Sequence, residues 1–295
     1  MKIVQISDTH LTAAGGPTTA AFRLLAQHLN DEVRPDLVVH SGDIQVLHPD
    51  DAADRAHSRA LLDLISAPLL VIPGNHDVGM PGLNAWAGLS VTDERVAAHE
   101  AAFGPGHWRH DTDAAILLGI NSELLGSGLQ READQWRWLE NTLEDLPADR
   151  PVLLFLHKPL WAATDEPADH AEVKMKIGDQ RVSVRQVDVG PVARDRLLSL
   201  LERIDLRAVG CGHLHRYRNV QRNNAIEVWA PATAFLAPSE DDLPEAHEQL
   251  GYVEYSVAGG DVTAEFRLVP GMPQLTTDDV PEIAQAIVAM TAAAV

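Results

Sequence analysis

One cysteine, Cys211, stands in a chain of 295 residues. An intrachain disulfide is therefore excluded, and so are zinc modules built from several thiolates. No stretch approaches the roughly 18 consecutive apolar residues of a membrane span. Neither a Gly-x-Ser-x-Gly elbow nor a glycine-rich Walker loop occurs, which removes serine hydrolases and P-loop enzymes. Basic residues are scarce as well: 23 Lys and Arg against 43 Asp and Glu leave a formal charge of −20. A surface of that sign repels phosphate backbones, so polymeric nucleic acid is not expected as a partner. Internal repeats and low-complexity linkers are absent. Met1 to Ile6 run into Asp8 and His10 too soon for a signal peptide, and a cytoplasmic location is expected.

What is present is a rhythm. Residues 2–7 alternate as a strand and end at Asp8-Thr9-His10. Residues 18–32 place Phe22, Leu25 and Leu29 at helical spacing, with Thr18 or Thr19 available as the cap. A second short strand, 36–40, runs into Ser41-Gly42-Asp43, and a helix is expected over 50–65. The apolar run Leu69-Leu70-Val71-Ile72 is then stopped by Pro73-Gly74, which presents Asn75-His76-Asp77 on a turn. Strand, polar turn and helix three times over is the pattern of parallel β-α-β units, whose functional residues collect at the strands' carboxyl ends.

Further along, the spacing predicts a helix over 92–103, a hairpin of 108–111 with 114–120, and an amphipathic helix over 130–146 that buries Trp138, Leu139, Leu143 and Leu146. The apolar strand 151–156 ends at His157. Residues 161–190 are polar and lack clear periodicity; an excursion of that length reads as a lid or binding loop. A helix over 191–203 and a strand over 206–209 lead to Gly212-His213-Leu214-His215. Segments near 217–221, 225–229, 252–257 and 262–268 are β-rich and are expected to form a second, partly antiparallel sheet. The whole reads as one domain over 1–270. The remainder, 271–295, reads as a helical extension packed on that domain.

Collected, the strand-end residues are Asp8, His10, Asp43, Asn75, His76, His157, His213 and His215. Asp8/His10 and His213/His215 are i, i+2 pairs, which extended backbone would point the same way. Imidazoles, carboxylates and an amide without thiolate suit Mn, Fe or Zn better than calcium. Seven candidate ligands exceed the three or four that one catalytic metal needs, so two metals are expected, with Asp43 on the middle strand as their bridge. The other histidines read as surface or core residues, His40 as a packed one, with His110 and His170 left open as neighbours of the site. Arg131, Lys158 and Arg216 suit a phosphate contact and a structural role equally.

The ordered set Asp8-x-His10, Gly42-Asp43, Gly74-Asn75-His76-Asp77, His157 and Gly212-His213-Leu214-His215 resembles the calcineurin-like metallophosphoesterase superfamily, and within it most closely the bacterial class III cyclic-nucleotide phosphodiesterases. The resemblance implies a four-layer α/β/β/α sandwich of two mixed sheets flanked by helices. It implies Asp8, His10 and His215 on one metal, Asn75, His157 and His213 on a second, and Asp43 between them. His76 would lie beside the scissile phosphate with Asp77 orienting its ring, and Asn75 would touch both metal and phosphate. The implied activity is hydrolysis of small phosphodiesters, 3′,5′-cyclic nucleotides among them, by a metal-bound hydroxide. A phosphomonoesterase or nucleotide pyrophosphatase would use the same ligands, and a non-catalytic scaffold would keep the fold alone. The expected partner is a small phosphoester; the oligomeric state stays open, a homodimer included. Asn121 departs from the Asp that relatives often carry there.

Overall fold

A computed structural model describes residues 1–45, 48–82, 89–147, 150–160, 172–177, 180–185, 188–237 and 246–292. The amino-terminal half follows the strand and helix rhythm. Strand β1 (Lys2–Ile6) leads through helix α1 (Pro17–His28) to β2 (Leu37–His40), and β2 leads through α2 (Ala52–Leu62) to β3 (Leu69–Val71). These three strands pair in parallel. Next come α3 (Asn75–Val78), α4 (Asp93–Phe103), β4 (Trp108–Asp111), β5 (Ile116–Gly119), α5 (Gln130–Glu144) and β6 (Val152–Phe155). The hairpin β7 (Glu172–Ile177) and β8 (Gln180–Arg185) precedes α6 (Pro191–Leu201), β9 (Leu206–Cys211), β10 (Arg218–Arg222) and β11 (Ala225–Trp229). The chain then adds β12 (Tyr252–Ala258), β13 (Asp261–Arg267) and α7 (Pro281–Ala292).

Two mixed sheets result, with strand orders β13-β12-β1-β2-β3 and β10-β11-β9-β6-β5-β4. The period-two alternation of the strands sorts their side chains. Ile3, Val39, Leu117, Leu153, Phe155 and Val253 fill the layer between the sheets. Their neighbours Val4, Val38, Leu118 and Leu154 belong to the other cluster, which holds Phe22 and Leu25 of α1, Trp136 and Leu139 of α5, and Leu197 and Leu201 of α6. Each such buried side chain contributes on the order of 1.5–3 kcal/mol. The architecture is the expected α/β/β/α sandwich. No described helix is long and apolar enough to cross a membrane.

One polar group lies inside the inter-sheet layer. Gln5 Nε2 donates to Ser41 Oγ at 2.8 Å and to the Cys211 carbonyl at 3.1 Å, while its Oε1 accepts from the Tyr255 hydroxyl at 2.7 Å. Buried amides are tolerable when paired in this way. The pairing ties the ends of β2 and β9 to β1, next to the turns that matter below.

Several expectations change in the structure. Helix α1 is entered from Gly16 with Pro17 in its first turn, and Thr18 and Thr19 lie inside the helix; proline needs no N–H partner there, so the threonine cap is not used. Helix α5 buries Leu139 of the expected stripe together with Gln135, Trp136 and Thr142, while Trp138, Leu143 and Leu146 pack half-buried against the same core. The carboxyl-terminal strands do not share one sheet. β10 and β11 extend the second sheet beyond β9, whereas β12 pairs antiparallel with β1 and covers the edge that β1 would otherwise expose. Within 161–190 an antiparallel hairpin, β7 with β8, replaces the irregular excursion; the rest of the lid reading, and His170, lie outside the described residues.

Candidate metal centre

The turns that end β1, β2 and β9 share an unusual backbone. Asp8 (φ 52°), His10 (φ 41°), Asp43 (φ 55°), His213 (φ 71°) and His215 (φ 54°) are all left-handed, five of the seven described non-glycine residues with positive φ. The region costs little for Asp and more for bulkier residues, and such strain gathers at functional sites. The i, i+2 pairs therefore converge through left-handed turns, not through the extended backbone that their spacing suggests. Main-chain bonds hold the turns together: Asp8 N donates to the Gly42 carbonyl at 3.0 Å, and His10 N to the Asp43 carbonyl at 3.1 Å. Gly42 and Gly74 allow the closeness. A Cβ on Gly42 would sit 2.6 Å from Gly74 N, and one on Gly74 would sit 2.3 Å from Asp43 Oδ1.

The side chains meet in three overlapping groups, Asp8-His10-His215, His10-Asp43-His76 and Asp43-His157-His213, with the ligating atoms of each within 4.8 Å of one another. His10 Nε2 and His215 Nε2 are 3.0 Å apart, and Asp8 Oδ1 faces His215 Nε2 at 3.5 Å. Asp43 Oδ2 lies 3.2 Å from His157 Nε2 and 4.0 Å from both His10 Nε2 and His76 Nε2. Asn75 Oδ1 is 3.2 Å from His157 Nε2. All eight strand-end residues are thus brought to one place, and all but His213 are buried.

Two ring orientations are set by main-chain carbonyls that sequence could not single out. His157 Nδ1 donates to the Ser41 carbonyl and His215 Nδ1 to the Phe235 carbonyl, each at 2.8 Å. In both cases Nε2 is left to face the centre, the usual arrangement of a metal-ligating imidazole. His213 Nε2 is buried with no hydrogen-bond partner among the described residues. An unpaired ring nitrogen among carboxylates, an amide oxygen and imidazoles fits a cation of the Mn, Fe or Zn kind.

Asp77, expected to orient the His76 ring, is engaged by backbone donors. Its carboxylate accepts from the backbone N–H groups of Ile44 (3.0 Å), Gln45 (3.1 Å) and Gly74 (2.9 Å). It therefore joins the Asp43 turn to the start of α3, positioning the backbone on which His76 stands. His76 N in turn donates to Asp43 Oδ1 at 2.8 Å. Burial and the neighbouring Asp43 charge push the Asp77 carboxyl up to about 7, against the opposing pull of those N–H donors.

Burial lowers His10 to about 3 and pushes His213 well down too, so these two rings are neutral, the form that binds metal; burial also lowers His76, against the pull of the Asp43 charge. His157 is the exception. Burial would lower it, but the Asp43 carboxylate outweighs burial and raises it to about 10. Of the three cations read as open, Arg131 pairs with Asp93 and Glu100, joining α5 to α4. Lys158 Nζ lies 3.1 Å from Glu123 Oε2 in a fully buried pair beside His157. Arg216 is buried next to His215 and faces Glu248 at 3.8 Å. Asn121 caps the short turn that carries Glu123, its Oδ1 accepting from Glu123 N at 2.9 Å.

A model of the calcineurin-like phosphoesterase family matches residues 1–217. The sequence is similar to a probable glycerophosphodiester phosphodiesterase of Arcobacter nitrofigilis, 28% identical over 252 residues that cover 78% of this chain and 77% of the relative. It is also similar to a probable cyclic nucleotide phosphodiesterase of Rhodococcus erythropolis, 27% identical over 222 residues, 72% of this chain and 64% of the relative. Among solved structures the fold resembles a purple acid phosphatase from yellow lupin, with a TM-score of 0.66 over 95% of this chain at 15% identity. The chain spans about half of that phosphatase, 55%.

Proposed function

We propose, from the premise that this chain belongs to the calcineurin-like phosphoesterase family and is a metal-dependent phosphoesterase, that it hydrolyses small phosphodiesters at two metal ions held where its sheets meet. One observation carries the reading. Asp43 Oδ2 faces His10 on one side and His157 on the other, at 4.0 Å and 3.2 Å, so a single carboxylate oxygen is common to two ligand groups. Asp8, His10 and His215 would hold the first ion, Asn75, His157 and His213 the second, and Asp43 would serve both. Mn and Fe suit this donor set, with Zn also admitted. Bound there, such ions supply Lewis acidity and a water acidic enough to yield a nucleophile at neutral pH.

The protein's own groups do the remaining work. His76 stands at the rim of the group on the short helix α3, its backbone tied to Asp43, and is placed to hydrogen-bond the leaving oxygen and pass it a proton. Asn75 serves ion and phosphate together. Asp77 keeps the two turns in register. The names of the relatives offer glycerophosphodiesters and cyclic nucleotides, both small phosphodiesters, and the charge of −20 favours a small substrate over a polymer.

The test is a comparison of bis(p-nitrophenyl) phosphate with p-nitrophenyl phosphate after loading with Mn²⁺ or Fe²⁺, followed by a glycerophosphodiester against a 3′,5′-cyclic nucleotide. Faster turnover of the diester is expected. Cleavage of the monoester alone would replace the reading by a phosphomonoesterase, and a protein that binds no metal and cleaves neither would leave only the scaffold.

A further inference from the structure

We infer that Phe235 is a positioning residue for the first ion, holding by its face the His10 ring, whose Nδ1 has no hydrogen-bond partner among the described residues. The inference rests on the metal reading above. A ligating histidine usually donates its second ring N–H to an acceptor, which fixes both the tautomer and the ring angle. His157 and His215 obey, donating Nδ1–H to the Ser41 and Phe235 carbonyls. His10 does not: its Nδ1 is buried with no hydrogen-bond partner among the described residues. Its Nε2 meets His215 Nε2 at 3.0 Å, a bond that an ion between the two nitrogens would replace, so among the described residues ring contacts are left to set its angle, the His76 ring edge-on at 4.9 Å and the Phe235 face.

The Phe235 ring is in place to do that. Its centroid lies 5.0 Å from that of His10 at an interplanar angle of 33°, and 4.9 Å from that of His215 at 58°. These separations fall within the range of attractive aromatic pairs. Phe235 is itself only 1% exposed, and both flanks of its backbone are anchored. Thr233 N donates to the Ser7 carbonyl at 3.1 Å and Ala234 N to the Asp8 carbonyl at 3.2 Å, while Leu236 N donates to the Leu275 carbonyl at 2.8 Å. The segment that carries the ring is thus bonded to the turn that carries the ligand Asp8. One residue holds two ligands by two means, its carbonyl orienting His215 and its ring orienting His10.

The two means separate in a side-chain variant, because Phe235→Leu keeps the carbonyl and the burial but loses the planar face. Metal-free parent, Phe235→Leu and Phe235→Tyr are titrated with Co²⁺, followed by calorimetry and by visible absorption, after thermal melting has checked that each is folded. Phe235→Leu is expected to bind the first ion about tenfold more weakly, with the second unchanged and Phe235→Tyr restoring the first. Equal first-ion affinity in a folded Phe235→Leu and the parent overturns the inference. A parent that takes up no Co²⁺ overturns the metal reading itself, a distinct result. A crystal structure of the Mn²⁺-loaded parent decides independently of how the variants fold. His10 Nδ1 hydrogen-bonded to a protein acceptor, or Phe235 turned away from His10, overturns the inference there too.

Discussion

His157 Nε2 meets Asp43 Oδ2 at 3.2 Å, and this contact joins the end of β6 in one sheet to the end of β2 in the other. Each partner moves the other's protonation. Burial would raise Asp43, but His157 and His76 outweigh it and hold the carboxyl well below the usual range. Asp43 in turn keeps His157 protonated at neutral pH in the metal-free protein. A proton then sits where the second ion is proposed to bind.

Loading the second ion should therefore release that proton. Affinity is expected to rise about tenfold per pH unit between neutral pH and roughly pH 9. Calorimetry in buffers of different ionisation heat counts the proton, and a count of zero at pH 7.5 would refute the assignment. The sign for stability is opposite: a histidine pKa raised from 6.5 to about 10 stabilises the metal-free fold fully below 6.5, and that contribution is lost as pH climbs toward 10.

Asp43→Asn should deplete both ions together, because the oxygen it weakens faces both groups. Metal analysis of the purified variant reads this directly. Loss of one ion with retention of the other would show that Asp43 belongs to a single site.

His76→Ala should keep the metal content and lower kcat by about 10²–10⁴ on an ester with a poor leaving group. The loss should shrink on p-nitrophenyl esters, whose leaving oxygen needs no proton. Unchanged turnover on the poor leaving group would reject the acid role.

Asp77→Ala strips the acceptor from three backbone N–H groups, two in the Asp43 turn and one at Gly74. A cost of at least about 1–3 kcal/mol is expected, since buried donors left unpaired are penalised. Urea denaturation of the metal-free protein measures it.

His99 on α4 tests acid sensitivity away from the centre. Both its ring nitrogens are buried without hydrogen-bond partners among the described residues, and burial lowers it to about 3. A depressed histidine pKa means stability that is full above 6.5 and lost as pH falls toward 3. His99→Leu should flatten the pH dependence of the unfolding free energy, measured by urea denaturation, over that window by about 1.4 kcal/mol per pH unit.

The convergence of the eight strand-end residues is legible because each follows an apolar strand that Pro, Gly or a polar residue stops, a local signal. What Asp77 does is not. Nothing in Asn75-His76-Asp77 says that its carboxylate will meet the Ile44 and Gln45 amides, a contact made by packing two turns more than thirty residues apart in sequence. The carbonyls of Ser41 and Phe235 left no mark either, because a main-chain acceptor is the same for every residue type. Left-handed backbone at Asp8 and His215 is permitted by their side chains but not demanded by them. The destination of β12 was equally hidden, since an alternating strand fits any open edge and only the assembled sheet decides which edge is open.

The two sheets contribute unequally mixed halves to each group of ligands. Asp8 and His10 leave one sheet to meet His215 from the other, and Asn75 and Asp43 likewise leave the first sheet to meet His157, beside His213 of the second. Neither sheet alone contains a complete set, and the set closes only after residue 215 has joined residue 8. Ions bound there would act as rivets across the seam between the layers. Chelation should then loosen the seam before it unravels either sheet, and a truncated chain ending before β9 should have no binding site at all.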